Sequence, residues 1–147
     1  MATNEETMRR LITEMQLLEG TADEIQSRIN IVDAAINELR ISDETLDGLK
    51  DKAKGDPMLV PIGGGSYVKA KVDDAKRVII GIGAGVAIEK KTEEAKVNIE
   101  SQLKDLENVR TNLQNQLIQV AQAMEETQSK VNEMSEKLSK REAGKKL

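Results

Sequence analysis

Histidine, cysteine, phenylalanine and tryptophan are all absent from this chain of 147 residues, and Tyr67 is its only aromatic side chain. Without His and Cys, most nucleophile–base pairs and the usual transition-metal ligands are unavailable. No alternating Asp/Asn loop closing on Gly and Glu is present to hold calcium. Catalytic, cofactor-binding and metal-ligating residues are therefore expected to be none, and the chain is not read as an enzyme. The lack of cysteine also excludes disulfides and fits a reducing, cytoplasmic compartment. Without large aromatics the chain is poorly equipped for an ordinary globular core. No apolar run approaches the roughly 18 residues of a membrane span, and the longest candidate, Val78 to Ile88, is interrupted by three glycines. The opening Met1-Ala2-Thr3-Asn4-Glu5-Glu6 is acidic, unlike a signal peptide. A net charge of −4, with no strongly basic half, leaves no electrostatic footprint for nucleic acid.

What is present is a charged, helix-favouring mixture, with 33% charged and 38% apolar residues, and it is strongly periodic. Stepping by sevens from Met8 places Met8, Met15, Ala22, Ile29 and Ile36 at heptad position a. Leu11, Leu18, Ile25, Val32, Leu39 and Leu46 then fall at d, and Asp43 is the one break at a. A period of 3.5 held this long predicts a coiled-coil seam. Ile12, Leu17, Ile31 and Ile41 lie off the strict seam and are candidates to widen it. Near the C-terminus, Leu103, Arg110, Leu117, Met124, Val131 and Leu138 occupy a, and Ile99, Leu106, Leu113, Val120, Thr127 and Met134 occupy d. Arg110 and Thr127 either fix register or are tolerated near the surface, and the sequence leaves both open. The two stripes match in length, which predicts an antiparallel hairpin of helices, each arm about 60 Å long at 1.5 Å per residue, with both chain ends at its tip.

Between the stripes the composition changes. Eight of the ten glycines fall between Gly48 and Gly85, and β-branched residues cluster. Gly55-Asp56-Pro57 predicts the end of the first helix. Four strands are readable, at 58–62, 67–72, 77–82 and 86–88, joined by Gly63-Gly64-Gly65-Ser66, Asp73-Asp74-Ala75-Lys76 and Gly83-Ala84-Gly85. Val78, Ile80 and Ile82 share a face by alternation. The glycines do not spell a phosphate-binding loop, because the third glycine of the dinucleotide pattern and the Gly-Lys-Ser/Thr of a P-loop are both missing. The expected organisation is a helix over 1–55, two β-hairpins over 56–88, a second helix over 89–141 and a flexible basic tail over 142–147. Two small hairpins are marginal alone and expose their edges, so pairing between chains is expected.

These residues carry a family resemblance. The run Asp56-Pro57-Met58-Leu59-Val60-Pro61-Ile62-Gly63-Gly64-Gly65-Ser66-Tyr67-Val68-Lys69-Ala70-Lys71-Val72 resembles the first hairpin of an archaeal prefoldin alpha subunit. The stretch from Val78 through Gly81-Ile82-Gly83-Ala84-Gly85 to Lys90 resembles the second. The resemblance covers essentially the whole chain, and two hairpins point to the alpha class. It implies an α+β fold: a long coiled-coil hairpin with two β-hairpins at its base that join an oligomeric β-barrel. It further implies a hexamer of two alpha and four beta subunits that captures unfolded proteins at its coiled-coil tips without ATP. Such assemblies deliver their clients to a group II chaperonin.

Carried onto this chain, subunit contacts fall on Leu59, Val60, Ile62, Tyr67, Val68, Val72, Val78, Ile80, Ile82, Val86 and Ile88. Client contacts fall on Met8, Leu11, Ile12, Met15, Val131, Met134 and Leu138. Unbranched, polarizable methionine suits a surface that adapts to many apolar partners, although Met15 and Met124 also fit an ordinary seam. Lys137, Lys140, Arg141, Lys145 and Lys146 form a basic end. It is either a solvated terminus or a dock for an acidic chaperonin surface. A structural coiled-coil scaffold with no affinity for unfolded chains is the rival reading.

Overall fold

The computed structural model describes residues 3–145. Six elements follow in order: α1 (Asn4–Leu49), β1 (Pro57–Gly63), β2 (Ser66–Lys71), β3 (Arg77–Gly83), β4 (Val86–Lys91) and α2 (Thr92–Lys145). Thr3 opens α1 through a reciprocal capping box. Its Oγ1 accepts from the Glu6 amide at 3.1 Å and its own amide donates to Glu6 Oε2 at 3.3 Å.

α1 stops at Leu49, six residues before the glycine expected to end it. Gly48 weakens the last turn, and the chain then tightens into i→i+3 turns, the Lys50 amide donating to Asp47 and the Lys52 amide to Leu49. Asp56 Oδ2 accepts from the Ala53 amide at 2.8 Å, and Gly55 takes a positive φ of 89°. The second helix begins later than position 89, because Glu89, Lys90 and Lys91 belong to β4, where they pair with Ile79, Val78 and Arg77. At the other end α2 continues through Lys145, so residues 142–145 are helical where a flexible tail is expected. Glu142, Ala143 and Lys145 favour helix strongly enough to outweigh Gly144. Residues 146 and 147 of that tail, Lys146 among them, lie outside the described residues.

The chain divides into two compact units, one of Met1–Asp33 with Asn108–Leu147 and the other of Ala34–Glu107. In the first, α1 and α2 pack antiparallel around Ile25, Ile29 and Leu113, flanked by Val32, Leu117 and Val120. Each of these is an a or d position of the heptads. Arg110, the cation in the seam, is ion-paired with Asp33 across the two helices. Thr127, the other polar seam residue of α2, is only 4% exposed, so it is a true seam residue and not a surface tolerance. In the second unit the helices are again antiparallel: Lys96 pairs with Asp47, and Arg40 lies 3.4 Å from Glu107. All a and d residues from Met8 to Leu138 are buried or half-buried. Ile12, Leu17, Ile31 and Ile41 are exposed, so none of them widens the stripe.

The second unit also holds two separate two-stranded antiparallel sheets, β1–β2 and β3–β4. Their ladders are related by a shift of 20 residues: Pro57↔Lys71 becomes Arg77↔Lys91, Pro61↔Tyr67 becomes Gly81↔Ala87, and Gly63↔Ser66 becomes Gly83↔Val86. The bulge recurs at the same step, at Ile62 and Ile82. The sequence repeats with the structure, since Ile62, Gly63, Gly65, Lys71, Ala75 and Lys76 recur as Ile82, Gly83, Gly85, Lys91, Ala95 and Lys96. Both tight turns need positive φ at two successive residues, supplied by Gly64 and Gly65 in one and by Ala84 (φ 52°) and Gly85 in the other. The repeat closes with Val72 and Thr92. The Val72 amide donates to the Asp56 carbonyl at 2.9 Å and the Thr92 amide to the Lys76 carbonyl at 2.8 Å. Thr92 Oγ1 also donates to the Ala75 carbonyl, tying the start of α2 to the chain between the hairpins.

Candidate functional site

Strand alternation sorts each hairpin into two faces. In the first, the pairs Met58↔Ala70 and Val60↔Val68 share a face, and Leu59 lies on the other with Pro61, Tyr67 and Lys69. In the second, Val78↔Lys90 and Ile80↔Ile88 share a face, opposite Ile79, Ala87 and Glu89. Arg77 reaches Glu89 at 3.6 Å along that outer face.

Of the strand residues expected to make subunit contacts, Leu59, Val60, Ile62, Tyr67, Val68, Ile82 and Val86 are exposed. Val78, Ile80 and Ile88 are half-buried. Val72 is only 6% exposed and lies within the chain's own core, where it cannot offer a surface. An open cavity of about 780 Å³ lies between β3–β4 and the adjoining helices, bounded by Leu39, Leu46, Val78, Ile80 and Ile99 among others. Its lining is mostly apolar, with Ser42, Thr45, Lys90, Asn98 and Gln102 as the polar members, which suits packing against apolar side chains.

The most exposed of these apolar strand residues is Ile79, at 77%, and sequence reading passes over it. Alternation selects the face of Val78, Ile80 and Ile82, but β3 is apolar on both faces, and an unbroken Val-Ile-Ile run was the available signal. Ile82 is the unpaired residue of the bulge and stays exposed while Val78 and Ile80 are half-covered. An isoleucine as exposed as Ile79 on a two-stranded sheet, beside the Arg77–Glu89 pair, is expected to be covered by something outside the chain.

In the other unit, the residues expected to meet clients fall into three environments. Leu11 is 5% exposed and closed into the seam, and Ile12 is 45% exposed on the outside. Met8, Met15, Val131, Met134 and Leu138 are half-buried seam residues, near the start of α1 and the end of α2. Lys137, Lys140, Arg141 and Lys145 are exposed, and Lys140 and Arg141 follow Lys137 by three and four residues, as Lys145 follows Arg141 by four, which sets them along one side of α2. Among the described residues no group of three His, Cys, Asp or Glu side chains is placed to hold a metal ion. No helix among them is long and apolar enough to cross a membrane.

Heptad-paired helices framing a tandem pair of β-hairpins match proteins already characterised. The profile of the Prefoldin family (Prefoldin subunit) matches residues 18–137. The chain is similar to prefoldin subunit alpha of Methanopyrus kandleri, with 39% identity over 113 residues, 77% of this chain and 72% of that protein. It is also similar to prefoldin subunit alpha of Pyrococcus horikoshii, with 30% identity over 140 residues, 95% of each chain. Among solved structures, a filamentous PFD from Methanocaldococcus jannaschii, determined by cryo-EM, matches with a TM-score of 0.66 and 27% identity. That match covers 80% of this chain and 97% of the other. A coiled-coil chaperone subunit is the class these features define, and the chain belongs to the prefoldin family.

Proposed function

We propose that this chain is the alpha subunit of a cytoplasmic, ATP-independent chaperone that holds unfolded proteins against the helix ends carrying Met8, Met134 and Leu138 and passes them to a group II chaperonin. The hairpins are the assembly module, pairing with a second alpha chain and with prefoldin beta subunits in an assembly of two alpha and four beta chains whose strands join in a β-barrel. The observation that carries this reading is the division of apolar surface. The strands expose it on rigid ladders suited to a fixed partner, whereas the helix ends offer half-buried methionine and leucine that small separations of the seam uncover. Leu11 contributes as the floor of that surface and Ile12 as its rim.

The test uses the subunit assembled with its beta-type partner and a denatured enzyme diluted into buffer. The assembly is expected to suppress light scattering at stoichiometric ratio. The triple substitution Met8→Ser, Met134→Ser and Leu138→Ser is expected to lose most of that suppression without changing the mass of the assembly. Full suppression by the triple variant would move the client surface elsewhere. No suppression by the unmodified assembly would favour a structural scaffold, a second reading that the filamentous state of the M. jannaschii protein supports.

A further inference from the structure

The chain has two prolines, and both stand in β1. Their placement follows from the ladder. The Val72 amide donates to the Asp56 carbonyl, which makes 56/72 a hydrogen-bonded step. In an antiparallel pair such steps alternate with steps whose amides point away from the partner strand. Met58↔Ala70 and Val60↔Val68 are therefore the bonded steps, and Pro57, Leu59 and Pro61 turn their backbone nitrogens to the free edge of β1. The hairpin loses nothing, since neither nitrogen belongs to its ladder. The free edge, however, loses two of its three donors and gains two rings that obstruct an incoming strand.

The second hairpin has the same register, because the Thr92 amide donates to the Lys76 carbonyl. Arg77, Ile79 and Gly81 consequently face the free edge of β3 with three intact amides. They stand at the repeat positions of Pro57, Leu59 and Pro61. Two hairpins of one design thus differ at the backbone of one edge, which is where a pairing strand is admitted or refused.

We propose that β1 is a closed edge and β3 an open one, and that the open edge of β3 takes an extended strand from the hairpin of another subunit. The first hairpin is left with one pairing edge, along β2, and the second with two. The occupant is a strand and not a helix or a small ligand. The edge offers a row of backbone donors flanked by exposed Ile79 and Ile82, which an extended chain satisfies with its carbonyls and alternate side chains. This inference rests on the assembly reading above but goes beyond it, by assigning polarity to the hairpins.

Leu59→Pro and Ile79→Pro test it at equivalent positions, with Leu59→Ala and Ile79→Ala as references for the lost side chains. Neither nitrogen is used within its own hairpin, so amides of the bonded steps, Val60 and Val68 or Ile80 and Ile88, are expected to stay protected from hydrogen exchange in both proline variants. Each full-length variant is mixed with its beta-type partner, and assembly is followed by native mass spectrometry across a dilution series. Leu59→Pro is expected to match Leu59→Ala. Ile79→Pro is expected to raise the half-assembly concentration about tenfold over Ile79→Ala, the scale of one lost interchain hydrogen bond together with the obstructing ring. Equal weakening by both prolines, or none by Ile79→Pro, would overturn the proposal while leaving the assembly reading in place. An unmodified chain that stays monomeric with and without its partner would overturn both.

Discussion

Ala84 sits at φ 52° in the turn between β3 and β4, where the matching turn of the first hairpin has Gly64. An L-residue in this region brings its Cβ against the following carbonyl oxygen, at about 1 kcal/mol or more. Asparagine tolerates the conformation better, because its side chain bonds to the local backbone. Ala84→Asn is expected to stabilise the second hairpin by about 0.5–1 kcal/mol. The gain is read as slower hydrogen exchange at the Val78, Ile80 and Ile88 amides, with no change in β1–β2. Similar slowing in both hairpins would assign the effect to something other than this turn. Ile79 shows the complementary limit of reading single residues. Its apolar character was visible, but its exposure depends on nothing among the described residues covering the outer face of β3, which is a property of the fold.

In the helices, every residue the heptad phase places at a or d is buried or half-buried, because a 3.5-residue period leaves one way to face a partner helix. Ala95, fully buried near the start of α2, lies outside that phase. The same pattern placed Arg110 and Thr127 in the seam but was silent on their partners. Asp33 answers Arg110 from the opposite helix, 77 residues away in sequence, at a spacing no local rule anticipates. Element ends were less legible. α1 ends at Leu49 instead of Gly55, because the turn that follows is held by Asp56 and Val72, and only the formed hairpin brings Val72 there. Glu89, Lys90 and Lys91 have the composition of a helix start, yet ladder bonds to β3 hold them extended. The 20-residue repeat was legible in principle, since six positions recur identically. Its divergent positions, Pro57 against Arg77 and Tyr67 against Ala87, conceal it until the registers are compared.

Asp43 is the weak point of the α1 seam. It occupies an a position, half-buried, and its Oδ1 is buried without a hydrogen-bond partner. An unsatisfied buried acceptor costs about 1–3 kcal/mol. Asp43→Leu is therefore expected to raise stability by about 1–2 kcal/mol, seen as a higher urea midpoint by circular dichroism with an unchanged slope. A lower midpoint would show that a partner outside this chain satisfies the carboxylate.

For the whole molecule, the open question is whether the basic side of α2 is a solvated end or a dock for an acidic chaperonin surface. Lys137, Lys140, Arg141 and Lys145 are exposed on a continuing helix, so their charges are carried at fixed spacing and not on a loose tail. Attraction between such a row and an acidic surface is long-ranged and screened by salt. Reversing all four to Glu is expected to weaken chaperonin binding about tenfold or more at low ionic strength and to flatten its salt dependence, while suppression of client aggregation persists. Unchanged affinity and unchanged salt dependence would make these residues solvating ends only.

The 20-residue repeat also sets the valence of the chain. A subunit with a single hairpin has one pairing unit, whereas this chain has two within 35 residues of strand and turn, from Pro57 to Lys91. Once one unit has engaged a neighbour, the second searches only the volume its short tether allows, at an effective concentration far above that of free subunits. Assembly should therefore begin on this chain and spread outward from it. Loss of either hairpin would be felt less as a smaller interface than as the loss of a junction.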